Sequence, residues 1–247
     1  MKRFALFALA TAFSISASFS AHAELSVDEV IEKHIEARGG YEAIKALESA
    51  RFTGVANFGG TEAPVMMEWA RPKKVRMEFE LQGMKMVQAY DGSEGWAIMP
   101  FLGKLDPEPM AEDQLKDIQQ QADLDGELVD YKEKGHTIEL LGLEDVDGTE
   151  AYHLKITRKD GDVSHSYLDS EYFLPFKDVS KSTRQGVEVT INTIVGDYKE
   201  VACVLMPHSF ESSTEGAPAG QTITITSVET NIDFDDTRFS MPVQSAE

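Results

Sequence analysis

VMMEWARPKKVRMEFELQGMKMVQAYDGSEGWAI, residues 65–98, reads with a period of two. Val65, Met67 and Trp69 alternate with other side chains, as do Val75, Met77, Phe79 and Leu81, then Met84, Met86 and Tyr90, then Trp96 and Ile98. Residues two apart on an extended chain share a face. The pattern therefore predicts strands with one apolar face, and turns Arg76, Glu78, Glu80 and Lys85 to the other side. With Phe52 to Phe58 upstream, five half-buried strands follow one another in fewer than fifty residues. That is the signature of an antiparallel meander.

Asp91-Gly92, Asp147-Gly148 and Asp160-Gly161 separate strand-like runs, where glycine accepts the positive φ of a tight hairpin. Further strands are expected at Thr137 to Leu141, Tyr152 to Thr157, Ser164 to Asp169, Val187 to Val195, Val201 to Pro207 and Thr222 to Phe234. Ahead of the sheet, Ser26 with Glu29 forms a capping box for a helix carrying Val27, Val30, Ile31, His34 and Ile35, which Gly39-Gly40 ends. Tyr41 to Leu47 adds another turn or two, so residues 24–48 read as N-terminal helices. One polar insertion, 103–131, breaks the meander. Met110, Leu115, Ile118 and Leu124 lie near one helical face within it, and Gly103, Pro107, Pro109 and Gly126 loosen its ends. It reads either as a lid or as a plain surface crossover.

The 247 residues include 23 basic and 43 acidic side chains, a formal charge of −20. Nucleic-acid partners are excluded, because phosphate contacts need clustered Lys and Arg. Lys2 and Arg3, an apolar run to Phe19 and Ala21-His22-Ala23 read as a cleavable secretory signal, residues 1–23. Its removal takes two lysine or arginine charges and moves the net charge from −20 to −22. Residues 24–247 are then expected as one exported domain, periplasmic, without a lipid anchor and monomeric. Cys203 stands alone, which rules out an intrachain disulfide, and is expected as a small buried residue.

Chemistry-bearing constellations are missing from the sequence. No H-E-x-x-H, Gly-x-Ser-x-Gly or phosphate-cradling Gly-rich loop occurs. His165 and Asp169 share a strand face but lack further ligands, and Asp233-Phe234-Asp235-Asp236 reads as a solvated strand end. No catalytic residue, metal or cofactor is expected.

What stands out is apolar. Seven of the ten methionines fall between Met66 and Met110, interleaved with Trp69, Phe79, Tyr90, Trp96 and Phe101. Methionine is flexible and polarizable, suited to an adaptable binding surface. A curled sheet bearing these residues encloses either a cavity or a dry core beneath a helix.

Several segments resemble the outer-membrane lipoprotein-sorting family, the LolA/LolB-like carriers. They are Arg71-Pro72-Lys73-Lys74-Val75-Arg76-Met77-Glu78, Asp91-Gly92 through Trp96, Gly142 through Gly148 with Ala151-Tyr152, Tyr167-Leu168-Asp169 with Leu174-Pro175, and Gly196-Asp197-Tyr198 leading to Met206-Pro207. Ala202-Cys203 stands where many relatives have glycine. The resemblance implies a strongly curved, unclosed antiparallel half-barrel of about eleven strands with helices covering or plugging the concave side. It also implies a non-enzymatic carrier for lipid acyl chains or an acylated lipoprotein, passing cargo to or from a membrane-associated protein. Met67, Trp69, Met77, Phe79, Leu81, Met84, Met86, Tyr90, Trp96 and Ile98 are expected as cavity wall, with Met110, Leu115 and Ile118 as the underside of a lid. A protein-binding envelope-stress sensor of the same fold is the alternative.

Overall fold

A computed structural model describes residues 25–184, 187–217 and 220–242. The expected signal segment, residues 1–23, lies outside them. Ser26 caps helix α1 (Val27–Ala37) with the reciprocal Glu29 bond, and α2 (Tyr41–Lys45) follows after Gly39 and Gly40, both at positive φ.

The first meander comprises β1 (Ser49–Phe58), β2 (Thr61–Ala70), β3 (Lys74–Leu81), β4 (Met84–Tyr90), β5 (Gly95–Met99) and β6 (Lys104–Pro109). Helix α3 (Glu112–Gln121) leads to the second: β7 (Thr137–Val146), β8 (Thr149–Thr157), β9 (Val163–Asp169), β10 (Pro175–Arg184) and β11 (Val187–Gly196). A separate hairpin, β12 (Lys199–Val201) and β13 (Val204–Met206), precedes β14 (Ser209–Thr214) and β15 (Gln221–Thr230). Among the described residues one antiparallel sheet holds 13 strands, in the order β6-β5-β4-β3-β2-β1-β15-β14-β11-β10-β9-β8-β7. It is a curved, unclosed half-barrel whose open edges are β6 and β7.

Thirteen strands exceed the expected eleven, and the reasons are local. Lys104–Pro109 contains two prolines and three charges, tolerable only on an edge. Pro175–Arg184 and Ser209–Thr214 are too polar to display an apolar period. The expected strand Val201 to Pro207 is instead a hairpin, because Ala202 and Cys203 adopt φ of 50° and 65°. Cys203 is therefore exposed at a turn rather than buried. The last strand stops at Thr230, and Asn231 turns the chain at φ 55°.

Helix α1 lays Val30 and Ile31 against Leu154, Ile156 and Leu168, with Leu128 and Tyr131 from the segment after α3. That segment is anchored. Leu128 and Val129 are buried, and the Asp125 carboxylate meets Lys45 at 2.7 Å and Arg71 at 2.5 Å. Burial pushes Asp125 up, but hydrogen bonds from Arg71 and Lys45 outweigh it and hold the carboxyl below its ordinary range. The insertion 103–131 comprises the strand β6, the helix α3 and a segment tied down through Asp125.

The chain after β15 straps the convex face of the first meander. Phe239 is buried, and its carbonyl accepts the Trp96 indole N–H at 2.8 Å. Arg238 reaches Glu68 at 2.7 Å and Glu78 at 2.9 Å, and Arg51 meets the other oxygen of Glu68 at 2.9 Å. Glu68 is fully buried, so these partners are what makes its charge tolerable there.

Candidate functional site

Cross-strand register decides which side chains face the concavity. Val65 pairs with Phe79, Met67 with Met77 and Trp69 with Val75. On the next strand Val75 pairs with Tyr90, Phe79 with Met86 and Leu81 with Met84. Paired residues share a face, so one apolar surface spans β2, β3 and β4. It continues through Phe52 on β1, opposite Met67, and Ile223 on β15, opposite Ala56.

Trp96 and Ile98 break the expectation. They pair with Ala89 and Val87, one residue out of phase with Tyr90 and Met86, and so lie on the convex side. There Trp96 is buried beneath the C-terminal strap with Val87, Ala89 and Ile98, and Arg76 stacks 5.2 Å from its ring. Alternation within one strand says which residues share a face. It does not say which face of a neighbour they join, because the turn length sets that phase.

A cavity of about 500 Å³ opens between the two meanders. Met67, Trp69 and Met77 line one side, and Phe210, Ile191 and Ile223 of the later strands face them. Phe79 packs in the same wall, its ring edge-on to Phe58 with centroids 5.9 Å apart. Leu81, Met84 and Met86 are half-buried on the same face toward the hairpin end and do not line this cavity. The opposite wall was not foreseen. Phe210 sits on β14, which shows no apolar period, while Ile191 and Ile223 lie on strands whose alternation is visible in the sequence.

Helix α3 spans the mouth. Ile118 and Ala122 bury against Val75 and Tyr90, with Met110 and Leu115 beside them. Gly95 makes the close fit possible: a Cβ there would stand 2.8 Å from Leu115 Cδ1 and 3.0 Å from Met110 Sδ. Trp69 donates its indole N–H to the Gln121 carbonyl at 2.8 Å. Across the mouth, Lys116 meets Asp162 at 2.7 Å and Gln120 donates to the same carboxylate at 3.2 Å. The helix is also held by Lys116 at 3.4 Å from Asp160 and by Gln119, which donates to the Tyr90 hydroxyl at 3.5 Å. It lacks a side-chain N-cap, and its last turn has no base to oppose the helix dipole.

A second cavity of about 440 Å³ lies deeper, lined in part by Asp178, Tyr198, Ser164 and Ser166. Arg158, Glu127, Ser180 and Phe210 line both spaces. Arg158 donates to Glu127 at 2.6 Å, and Ser164 joins this pair at 3.3–3.4 Å. Burial raises the Asp178 carboxyl to about 6 against the opposing hydrogen bond from Ser166, and it also pushes the Tyr198 hydroxyl upward.

On the outer face, His165 is engaged with His153, whose Nε2 lies 2.7 Å from its Nδ1, and not with Asp169. Asp169 caps the following turn through the amides of Glu171 and Tyr172. Asp235 likewise accepts from the Thr237 amide at 2.8 Å. Among the described residues no three His, Cys, Asp or Glu side chains group as a metal site.

Comparison with solved structures finds this arrangement of half-barrel and spanning helix in LolA-like proteins. The chain is similar to a LolA superfamily protein from Nitrosomonas europaea, with a TM-score of 0.59 and 12% identity over 87% of this chain and 98% of that one. It is similar to a DUF1329 family protein from Desulfovibrio piger at TM-score 0.57 and 12% identity, covering 87% and 97%. A domain assigned to outer membrane lipoprotein sorting from Vibrio parahaemolyticus gives TM-score 0.57 and 11% identity, covering 85% and 95%. No family model and no curated relative matches the sequence. The chain shares the fold of these LolA-like proteins.

Proposed function

We propose that this protein is a non-enzymatic carrier that shields lipid acyl chains, free or attached to a lipoprotein, in the cavity beneath α3. The observation that carries the reading is the cavity of about 500 Å³ with Met67, Trp69 and Met77 facing Phe210, Ile191 and Ile223. That volume falls in the range of ordinary small-molecule sites, roughly 300–1,000 Å³. Each methylene withdrawn from water contributes about 0.8 kcal/mol, so half an acyl chain supplies micromolar affinity after association costs. Methionine walls give adaptable packing that also permits release.

The location that fits this role is the periplasm, reached through the signal segment 1–23. The acidic surface keeps a loaded carrier dispersed and discourages lingering on anionic lipid, so handover calls for a membrane-associated acceptor protein. Native mass spectrometry after gentle extraction tests the proposal. Co-purified lipid that transfers to acceptor vesicles supports it. A lipid-free protein that takes up no acyl-chain probe, or one isolated as a lipid-free stoichiometric protein complex, overturns it in favour of the sensor alternative.

A further inference from the structure

The concave face changes chemistry partway round the sheet. From β4 to β15 it presents Met, Phe, Trp, Val and Ile side chains, as the paired registers require. Beyond β14 the same face carries polar side chains among the apolar Ile191 and Val195. Ser212 pairs with Thr193, Thr193 with Asp178, and Asp178 with Ser166, while Ser180 pairs with Ser164. A solvated strand would show this alternation on its outer side. Here it points inward, onto the two adjoining spaces of about 500 and 440 Å³.

These groups are only partly committed to one another. The Thr193 and Ser212 hydroxyls lie 3.1 Å apart, and Ser164 joins the Arg158–Glu127 pair. Asp178 stands beside Ser166, its cross-strand partner, and although the Arg158 charge is felt there, no ion pair within salt-bridge distance engages it among the described residues. A carboxyl sunk in a cavity wall with one hydroxyl partner retains acceptor capacity, for an ionised carboxylate offers about four acceptor positions. A guest bearing hydrogen-bond donors finds acceptors there.

Resting on the carrier reading, we infer that the cavity takes a single-chain amphiphile head-first. Its hydrogen-bond-donating head, hydroxyl or ammonium, seats on Asp178, Ser166 and Ser180, and its chain lies along Met67, Met77 and Phe210. A plain acyl anchor with its head left in water makes no use of the polar wall. An anionic head meets both Asp178 and Glu127, which repel it. The volume suits one chain better than the several of a multiply acylated anchor.

The test keeps the chain constant and varies the head: monopalmitoylglycerol, palmitate and methyl palmitate, titrated calorimetrically into the lipid-stripped protein below the concentrations at which the probes self-associate. The donor-bearing monopalmitoylglycerol should bind about tenfold more tightly than methyl palmitate, the effect of one hydrogen bond to a charged group. Palmitate should bind more weakly than monopalmitoylglycerol. Asp178→Val should reduce the tenfold preference to within twofold while leaving methyl palmitate affinity unchanged. The double variant Ser166→Ala, Ser180→Ala removes only hydroxyls and supplies the same comparison should Asp178→Val not fold. Equal affinity for all three heads, or a preference that survives in the variants, overturns the head-first arrangement while the carrier reading stands. If none of the probes binds, the carrier reading falls with it.

Discussion

The indole nitrogen of Trp69 lies 2.8 Å from the carbonyl oxygen of Gln121, joining the cavity wall to the last residue of α3. It is a direct bond between the floor of the cavity and the element that spans its mouth. Opening the mouth from this side requires breaking it.

Trp69→Phe keeps the ring and removes that bond, for a loss of about 1 kcal/mol at most, because the site is partly wet. Amide hydrogen exchange within α3 should accelerate several-fold while exchange in β8 and β9 stays unchanged. Identical exchange in α3 would show that the bond does not hold the helix.

Gly95→Ala should loosen the same helix by another route, since the new methyl must displace Leu115 and Met110. Overpacking of this kind costs roughly 1–3 kcal/mol. Faster uptake of an acyl-chain probe by stopped-flow is expected in both variants, and a slower rate in either would count against α3 as the gate.

Met77→Asp places a charge in the cavity wall and should abolish acyl-chain binding, with circular dichroism confirming the fold. Ile98→Thr, on the convex side, should leave binding within twofold. Trp96→Phe strands the buried Phe239 carbonyl without its donor, at a cost of about 1–3 kcal/mol. Its melting temperature should fall while lipid affinity holds. Were Ile98 and Met77 equally sensitive, the register-derived assignment of faces would be wrong.

His34 and the half-buried Asp178 titrate in opposition. His34 is 3% exposed, and desolvation, with the nearby Arg38 charge adding to it, lowers its pKa from 6.5 to about 4, even though Phe173 accepts a hydrogen bond from its ring. A depressed histidine binds its proton more readily when unfolded, so its contribution is present above pH 6.5 and lost as pH falls toward 4, ~3 kcal/mol at most. Asp178, raised from 3.8 to about 6, has the reverse sign: the native state gains stability as pH falls through that window. Asp178→Asn should therefore steepen the loss of stability between pH 6.5 and 4, and His34→Gln should flatten it, as urea denaturation at successive pH values will read. Parallel pH profiles for the two variants would refute the assignment.

The sheet's first meander was legible because Val75, Met77, Phe79 and Leu81 alternate so strictly that no helix accommodates them. So was α1, whose capping box is a local device. Less visible was the phase between strands. The Asp91-Gly92 turn carries Tyr90 to a partner at Gly95 and puts Trp96 beside Ala89, which no count of apolar residues reveals. The polar wall was hidden for a deeper reason. Ser164, Ser166, Asp178 and Ser180 are the residues expected on a solvent-facing strand, and only the curvature of the sheet turns them inward. The strap through Phe239 likewise depends on contacts far apart in sequence.

Strand order imposes a timetable on assembly. Strands β1 to β6 zip together by neighbouring hairpins, and so do β7 to β11, with short loops to close and little entropy to lose. The seam between these halves is the pair β14 and β15, with Glu211 against Ile194 on one side and Thr230 against Ala50 on the other. Until that final strand arrives, two sticky half-sheets coexist with raw edges. Closure of the sheet falls to Gln221–Thr230, and the edges left open until those residues pair are where misassociation is favoured.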